Sequence, residues 1–331
     1  MIKEAMFYER IDNKYILCYL CPHHCHLKNG QRGICKVRRA EKDRLYTVNY
    51  GEISSLAIDP VEKKPLYHYK PGKTILSVGG FGCNFSCGFC QNYSISKSSP
   101  ETKYVNPEQL LKITLDAAKE GSIGIAFTYN EPSIWYEYIF DFLKEVEVSI
   151  NKPDIVLVTN GYIEKEPLKE MLPHISAMNI DLKGFNDGYY KNICMGSLDE
   201  VLSTIELSSD KTHVELTTLI IDGYNNSDDE IEEMAKWIAS IDKDIPLHLS
   251  RYYPAYKFTD RPTKPESLRR ARDIARKYLN YVYIGNLPGE DNNTYCPECG
   301  GTVVERYGYY VMMNLNDDRC QNCGNKIKIV L

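Results

Sequence analysis

Cys83-Asn84-Phe85-Ser86-Cys87-Gly88-Phe89-Cys90 places three cysteines within eight residues, spaced by three and then by two. The next residues, Gln91 and Asn92, bring no fourth thiol. Cysteine thiolates are the usual ligands of iron–sulfur clusters, and the cubane form has about four irons. Three thiolates leave one iron without a protein ligand, open to a small molecule. The competing reading is three ordinary thiols in a loop.

Outward from this stretch the chain alternates. Apolar β-like runs at 75–78, 123–129, 155–159, 177–181, 214–220, 247–249 and 281–284 are separated by helical stripes. Asn106-Pro107 opens the first helix, with Pro at its first position. The clearest helix, 131–149, carries Ile134, Tyr138, Phe142 and Val146 on one face. Ser227-Asp228-Asp229-Glu230 reads as a capping box, and Pro265 opens the last helix. Alternation of this kind means a parallel sheet with helices outside. Periodicity alone admits a partial barrel or an open doubly wound sheet.

In both architectures functional loops gather at the carboxyl ends of the strands. Cys83, Cys87, Phe89 and Cys90 follow the first run, and Asn130 and Glu131 the second. Asn160 follows the third, Asp181 and Lys183 the fourth, and 222–226 the fifth. Arg251, Tyr252 and Tyr253 follow the sixth, with His248 just inside, and Gly285 and Asn286 the last. Each group alone is compatible with ordinary turn chemistry. Their concentration on one face with the cysteine loop marks that face as the site.

The chain has 331 residues, 43% hydrophobic and 26% charged, which is enough for about two globular domains. A net charge of −5 argues against a surface built for non-specific nucleic-acid binding. The start, MIKEAMFYERIDNK, is too polar for a signal peptide, and no apolar run is long enough to span a bilayer. The expected location is the cytoplasm, where structural disulfides are rare. The 12 cysteines therefore need another role, and all but Cys194 fall into three clusters.

The first cluster is Cys18, Cys21, Cys25 and Cys35, with His23, His24 and His26 interleaved. Zinc or an auxiliary iron–sulfur cluster suits these soft ligands, with Cys18 or a histidine as the fourth. The last cluster is Cys296, Cys299, Cys320 and Cys323, two Cys-x2-Cys knuckles each followed by Gly. That is the spacing of a zinc ribbon, with rubredoxin-like iron as the alternative occupant. The expected organisation is a metal-binding module at 1–50, a connecting segment at 51–73, a central domain at 74–290 and a ribbon-like module at 291–331. The connecting segment contains Asp59-Pro60-Val61-Glu62-Lys63-Lys64-Pro65-Leu66-Tyr67-His68, read as a loop that lines one side of the site or merely bridges domains.

The C-x3-C-x2-C spacing with Phe89 before the last cysteine resembles the radical S-adenosylmethionine (SAM) enzymes. Taken with Leu20-Cys21-Pro22-His23-x-Cys25, Lys63-Lys64-Pro65-Leu66-x-His68, Cys90-Gln91-Asn92, Tyr129-Asn130-Glu131-Pro132 and Gly285-Asn286-x-Pro288-Gly289, the motif order resembles the AmmeMemoRadiSam system enzymes. Those are similar to pyruvate formate-lyase activating enzymes. The resemblance implies a partial (β/α)6 barrel, a 4Fe-4S cluster on Cys83, Cys87 and Cys90, and SAM. It implies reductive cleavage of SAM to a 5′-deoxyadenosyl radical that abstracts a hydrogen atom from an unidentified substrate. Glu131 then matches an acceptor for the SAM amino group, although Tyr129 and Asn130 replace the usual glycines. Asn160, Asp181 and Lys183 become candidates for the ribose and carboxylate, and Gly285 and Asn286 for the adenine side. Implied partners are a low-potential ferredoxin or flavodoxin, under anaerobic conditions, and Memo-type and Ammecr-type proteins.

Within this reading a protein-activating, activase-like reaction competes with modification of a small molecule, peptide or RNA. Two other classes compete with it. One is a non-catalytic multi-metal electron-transfer scaffold, which the missing fourth ligand opposes. The other is a zinc-ribbon nucleic-acid protein, resting on Arg269, Arg270, Arg272, Arg276 and Lys277 against an acidic whole.

Overall fold

The computed structural model describes residues 2–331. Its centre is an eight-stranded sheet: Ser55–Pro60 (β1), Thr74–Gly79 (β2), Ser122–Phe127 (β3), Asp154–Thr159 (β4), Ala177–Asp181 (β5), His213–Ile220 (β6), Leu247–Arg251 (β7) and Val282–Gly285 (β8). The strands pair in chain order, β2 to β8 all parallel and β1 antiparallel on β2. A doubly wound sheet reverses its strand order at a switch point. This one never reverses, and β1 and β8 do not pair, so the wall is a partial barrel with an open side.

Six helices make the crossovers: Pro107–Lys119 (α1), Tyr136–Val148 (α2), Lys165–Met171 (α3), Leu198–Ser209 (α4), Asp228–Asp242 (α5) and Pro265–Ala275 (α6). Local chemistry sets their starts. Asn106 Oδ1 accepts from Gln109 N at 2.8 Å and Gln109 Oε1 from Asn106 N at 3.0 Å, a complete capping box. At α5 only half of the expected box forms. Ser227 Oγ accepts from Glu230 N at 3.3 Å, but the Glu230 carboxylate is diverted to Phe185 N at 2.8 Å. The stretch read as one helix from 131 begins instead with a 3-10 turn, Pro132–Trp135, before α2.

The connecting segment does more than bridge domains. Val61, Leu66 and Tyr69 are buried against Ile75, Ala126, Val156 and Ala177, one residue from each of β2 to β5. The segment therefore plugs the floor of the barrel. Burying a side chain the size of Leu66 contributes about 1.5–3 kcal/mol. Pro65 O accepts from Asn179 Nδ2 at 2.8 Å, and Glu215 accepts from Tyr67 N at 2.9 Å and His68 N at 2.7 Å.

The same plug docks the C-terminal module, whose main sheet is Thr294–Tyr295, Thr302–Tyr307 and Tyr310–Met313. Val330 bridges Tyr69 in parallel, and Arg306 Nη2 donates to Tyr67 O at 2.6 Å. Val303, Val304, Ile327 and Ile329 pack on Tyr283 of β8 and on Tyr281 just before it. At the other end, Tyr8–Arg10, Ile16–Cys18 and Cys25–Leu27 form a small antiparallel sheet, next to a second one of Lys3–Glu4, Arg44–Thr47 and Arg38–Glu41. Among the described residues no helix is long and apolar enough to cross a membrane.

Candidate active site and metal centres

The cysteine loop leaves the carboxyl end of β2 through a turn that only glycine fits. Gly82 has φ +89, and a Cβ there would stand 2.6 Å from Val37 Cγ1 and 2.8 Å from Cys35 O. Beyond it, buried side chains fix the loop. Asn84 Nδ2 donates to Tyr162 O at 2.7 Å, and Asn84 Oδ1 accepts from Asn160 Nδ2 at 2.8 Å. His23 Nε2 lies 2.8 Å from Asn84 O. Two N–H donors point at Cys83 Sγ, Phe85 N at 3.4 Å and Asn160 Nδ2 at 3.7 Å.

A cavity of about 360 Å³ opens over the loop. Cys83, Cys87, Phe89, Cys90, Asn130, Glu131, Asn160, Asp181, Lys183 and Asn286 all line it, contributed by the ends of β2, β3, β4, β5 and β8. Gly285 is not in the lining. Lys63 and Lys64 also reach this cavity, from the plug below. In the sequence Lys63 and Lys64 stand out only within the Lys63-Lys64-Pro65-Leu66-x-His68 motif, in a segment read either as lining the site or as bridging domains. Lys64 Nζ donates to Asp59 Oδ2 at 2.8 Å, and Tyr129 OH to the same oxygen at 2.7 Å.

Several expected contacts are committed elsewhere. The Glu131 carboxylate accepts from Ser133 N at 2.9 Å, Thr159 Oγ1 at 2.7 Å and Asn160 N at 2.8 Å, so it ties the end of β3 to that of β4. Asn130 bonds the glycine turn, accepting from Gly80 N at 3.0 Å and donating to Gly82 O at 3.2 Å. His248, Arg251, Tyr252 and Tyr253 are outside the cavity lining. His248 Nε2 lies 2.6 Å from Glu215 Oε2, and Tyr252 is fully buried with its hydroxyl on Phe258 O.

The electrostatics favour bound positive charge at the thiols. Burial pushes the Cys83 thiol up to about 12, a cost that a metal cation removes by holding the thiolate. Cys194, the cysteine outside every sequence cluster, lies beside Cys87 and through a hydrogen bond lowers its proton affinity. A short π-helical turn, Tyr190–Cys194, brings it there, and Ser86 N donates to Cys194 O at 2.9 Å. No periodic pattern in the sequence announces that turn. Lys183 pairs with Asp181 at 2.8 Å; burial opposes its charge, but Asp181, Cys87 and Cys194 hold it protonated.

Three converging thiols with N–H groups already aimed at one sulfur fit a cluster ligated by thiolates, whose potential such hydrogen bonds tune. The C-terminal set fits a single ion. Cys296 Sγ and Cys323 Sγ lie 3.6 Å apart, Cys299 Sγ and Cys320 Sγ 3.7 Å, and all four sulfurs are within 4.8 Å of one another. A tetrahedron of thiolates at about 2.3 Å from zinc has edges of about 3.8 Å. Gly300 at φ +72 and Gly324 at φ +74 turn each knuckle, donating to Cys296 O and Cys320 O. At the N-terminal set, burial and then the neighbouring Cys35, Cys18 and Cys25 push the Cys21 thiol up.

The sequence profile of the Radical SAM superfamily matches residues 77–238. An uncharacterized protein of Methanocaldococcus jannaschii, MJ0808, is 43% identical over 341 residues, covering 100% of both chains. A second one from that organism, MJ0674, is 23% identical over 83% of this chain and 79% of its own. In fold, a radical SAM methyltransferase from Sphaerobacter thermophilus is similar at TM-score 0.52 and 18% identity, over 65% of this chain and 66% of that one. SuiB of Streptococcus suis bound to precursor peptide SuiA is similar at TM-score 0.50 and 16% identity, over 61% of this chain and 46% of SuiB.

Proposed function

The chain belongs to the radical SAM superfamily, and on that premise we propose that it is an enzyme of hydrogen-atom abstraction with Cys83, Cys87 and Cys90 holding a 4Fe-4S cluster. The observation that carries this is the cavity itself: three thiols with no fourth on the loop, under a space of about 360 Å³ that Asn160, Asp181 and Lys183 also line. That volume is in the range of small-molecule sites. When bound, the cluster and SAM supply one-electron carbon–sulfur cleavage and a 5′-deoxyadenosyl radical.

The chain's own residues orient and shield. Asp181 and Lys183 offer a carboxylate and an ammonium to the oppositely charged amino and carboxylate groups of SAM. Ser250 and Asn286, joined at 2.8 Å, give a polar rim for the ribose. Phe89 stacks on Tyr189 and meets Phe258 edge-on, which keeps water from the thiols. Zinc is the proposed occupant of the C-terminal four-sulfur site.

A protein backbone is the proposed substrate, as for an activase. The support is β1, a free sheet edge joined to the cavity wall through Asp59, with Leu56 and Ile58 exposed by 46% and 45%. An extended segment can add to such an edge by main-chain hydrogen bonds. Modification of a small molecule, peptide or RNA is the alternative use of the same chemistry. A low-potential ferredoxin or flavodoxin, and Memo-type and Ammecr-type proteins, are the proposed partners.

The test is anaerobic reconstitution, reduction with dithionite, addition of SAM and assay of 5′-deoxyadenosine. The intact chain and Cys299→Ala form it, and Cys87→Ala does not. Full iron content without product would point instead to a metal-holding scaffold.

A further inference from the structure

The N-terminal cysteines lie against the loop that carries Cys83. Cys35 O is 2.8 Å from where a Gly82 Cβ would stand, and Gly82 adjoins Cys83. With about 3.8 Å between neighbouring Cα atoms, the Cα atoms of Cys35 and Cys83 are within about 11 Å. A second bridge runs from His23, between Cys21 and Cys25, to Asn84 O at 2.8 Å. Nothing in the central chemistry requires a four-thiol site at this distance.

The geometry of the four thiols differs from that of the C-terminal set. Cys18 and Cys25 face each other across paired strands, and the Sγ atoms of Cys25 and Cys35 stand 3.5 Å and 3.7 Å from the Cβ position of Gly33. Among the described residues only the C-terminal four sulfurs close to within 4.8 Å of one another. The N-terminal sulfurs are therefore spread more widely than those of the C-terminal set. Arg38, 1% exposed, donates from Nη1 to Cys18 Sγ at 3.7 Å, and its buried Nε has no partner. The guanidinium is anchored on Glu137 and on Met6 O, so it is a fixed positive charge aimed at the sulfurs. Such a charge and N–H···S bonds stabilise the electron-rich form of an iron–sulfur cluster.

We propose that Cys18, Cys21, Cys25 and Cys35 hold a second iron–sulfur cluster that relays single electrons to the central one. The donor is a reduced low-potential flavodoxin or ferredoxin. It loses one electron, the N-terminal cluster takes it up and passes it on, and the central cluster is reduced by one. Cys25 is the half-exposed member and borders a surface groove of about 420 Å³ with His24 and Arg32. Lys28 and Lys36 are exposed nearby, which suits an acidic donor. The relay rests on the proposed central cluster, whereas the second cluster stands independently of it.

The experiment counts iron, sulfide and zinc in the full chain after anaerobic reconstitution, with electron paramagnetic resonance of the reduced protein. The intact chain holds about eight irons, and Cys87→Ala and Cys25→Ser each lose one cluster's share of about four. Each variant keeps a different resonance, and metal at the C-terminal four-sulfur site is unchanged, which reports an intact fold. Should Cys25→Ser not purify, Cys35→Ser serves the same comparison. Stopped-flow reduction of Cys25→Ser by flavodoxin hydroquinone loses the fast phase, while dithionite still reduces the remaining cluster. About four irons with a second zinc in the intact chain would overturn the second cluster. An unchanged flavodoxin rate in Cys25→Ser would overturn the relay. Eight irons without SAM cleavage would sink the proposed activity and leave the second cluster standing.

Discussion

Replacing Glu215 by Gln tests how the barrel floor is held. Glu215 is wholly buried and accepts four hydrogen bonds: Tyr67 N at 2.9 Å, His68 N at 2.7 Å, His213 Nε2 at 3.0 Å and His248 Nε2 at 2.6 Å. An amide oxygen accepts about two such bonds, and the amide nitrogen would face donors. At least two buried donors then lose their partner at about 1–3 kcal/mol each, on top of a lost charge, so the loss is about 4 kcal/mol. Trp237 sits on α5 of the barrel and Trp135 between the barrel and Asn49, so their fluorescence reads unfolding of the barrel. With the metals saturated, the expected drop in midpoint is about 8–16 °C for a domain of this size. A drop under about 3 °C, no more than about 1 kcal/mol, would refute the reasoning that this carboxylate pins the plug. The exposed Glu9→Gln serves as the control for a surface carboxylate.

Acid should weaken the same region, because burial pushes His68 down to about 3 and so keeps it neutral when folded. The unfolded chain binds that proton near pH 6.5, so stability is full above 6.5 and falls by about 1.4 kcal/mol per pH unit down to about 3, measurable by urea midpoints. Asn84→Ala leaves Asn160 Nδ2 and Tyr162 O without each other's bridge, and iron loading at Cys83, Cys87 and Cys90 should fall with metal at the C-terminal site unchanged. Cys299→Ser should lose one equivalent of metal from the C-terminal four-sulfur site and expose Tyr281 to quenching, since the C-terminal module covers it. Retention of the metal at full affinity would contradict a four-thiolate site.

The strands and helices were legible because each carries its own period. The runs at 75–78 and 177–181 need no tertiary information, and Asn106-Pro107 with Gln109 writes its own cap. The destination of 61–69 was not legible. Pro60 and Pro65 announce a break in regular structure, but no local rule says that Leu66 and Tyr69 fill the barrel. The cavity was legible at the level of strand ends, which delivered Cys83, Asp181 and Lys183. It did not show how polar groups there are held: Glu131 by Ser133, Thr159 and Asn160, and His248 by Glu215. Cys194 stood alone in the sequence because a π-turn, invisible to a 3.6-residue period, carries it to Cys87.

In the proposed enzyme the cluster on Cys83, Cys87 and Cys90 has an iron that SAM can bind. Electron–nuclear double resonance on the reduced protein with SAM labelled with ¹⁵N at its amino group measures this directly. The expected result is a ¹⁵N coupling to the cluster in the intact chain and in Cys25→Ser, and none in Cys87→Ala. A fully loaded cluster that shows no coupling to labelled SAM would contradict it.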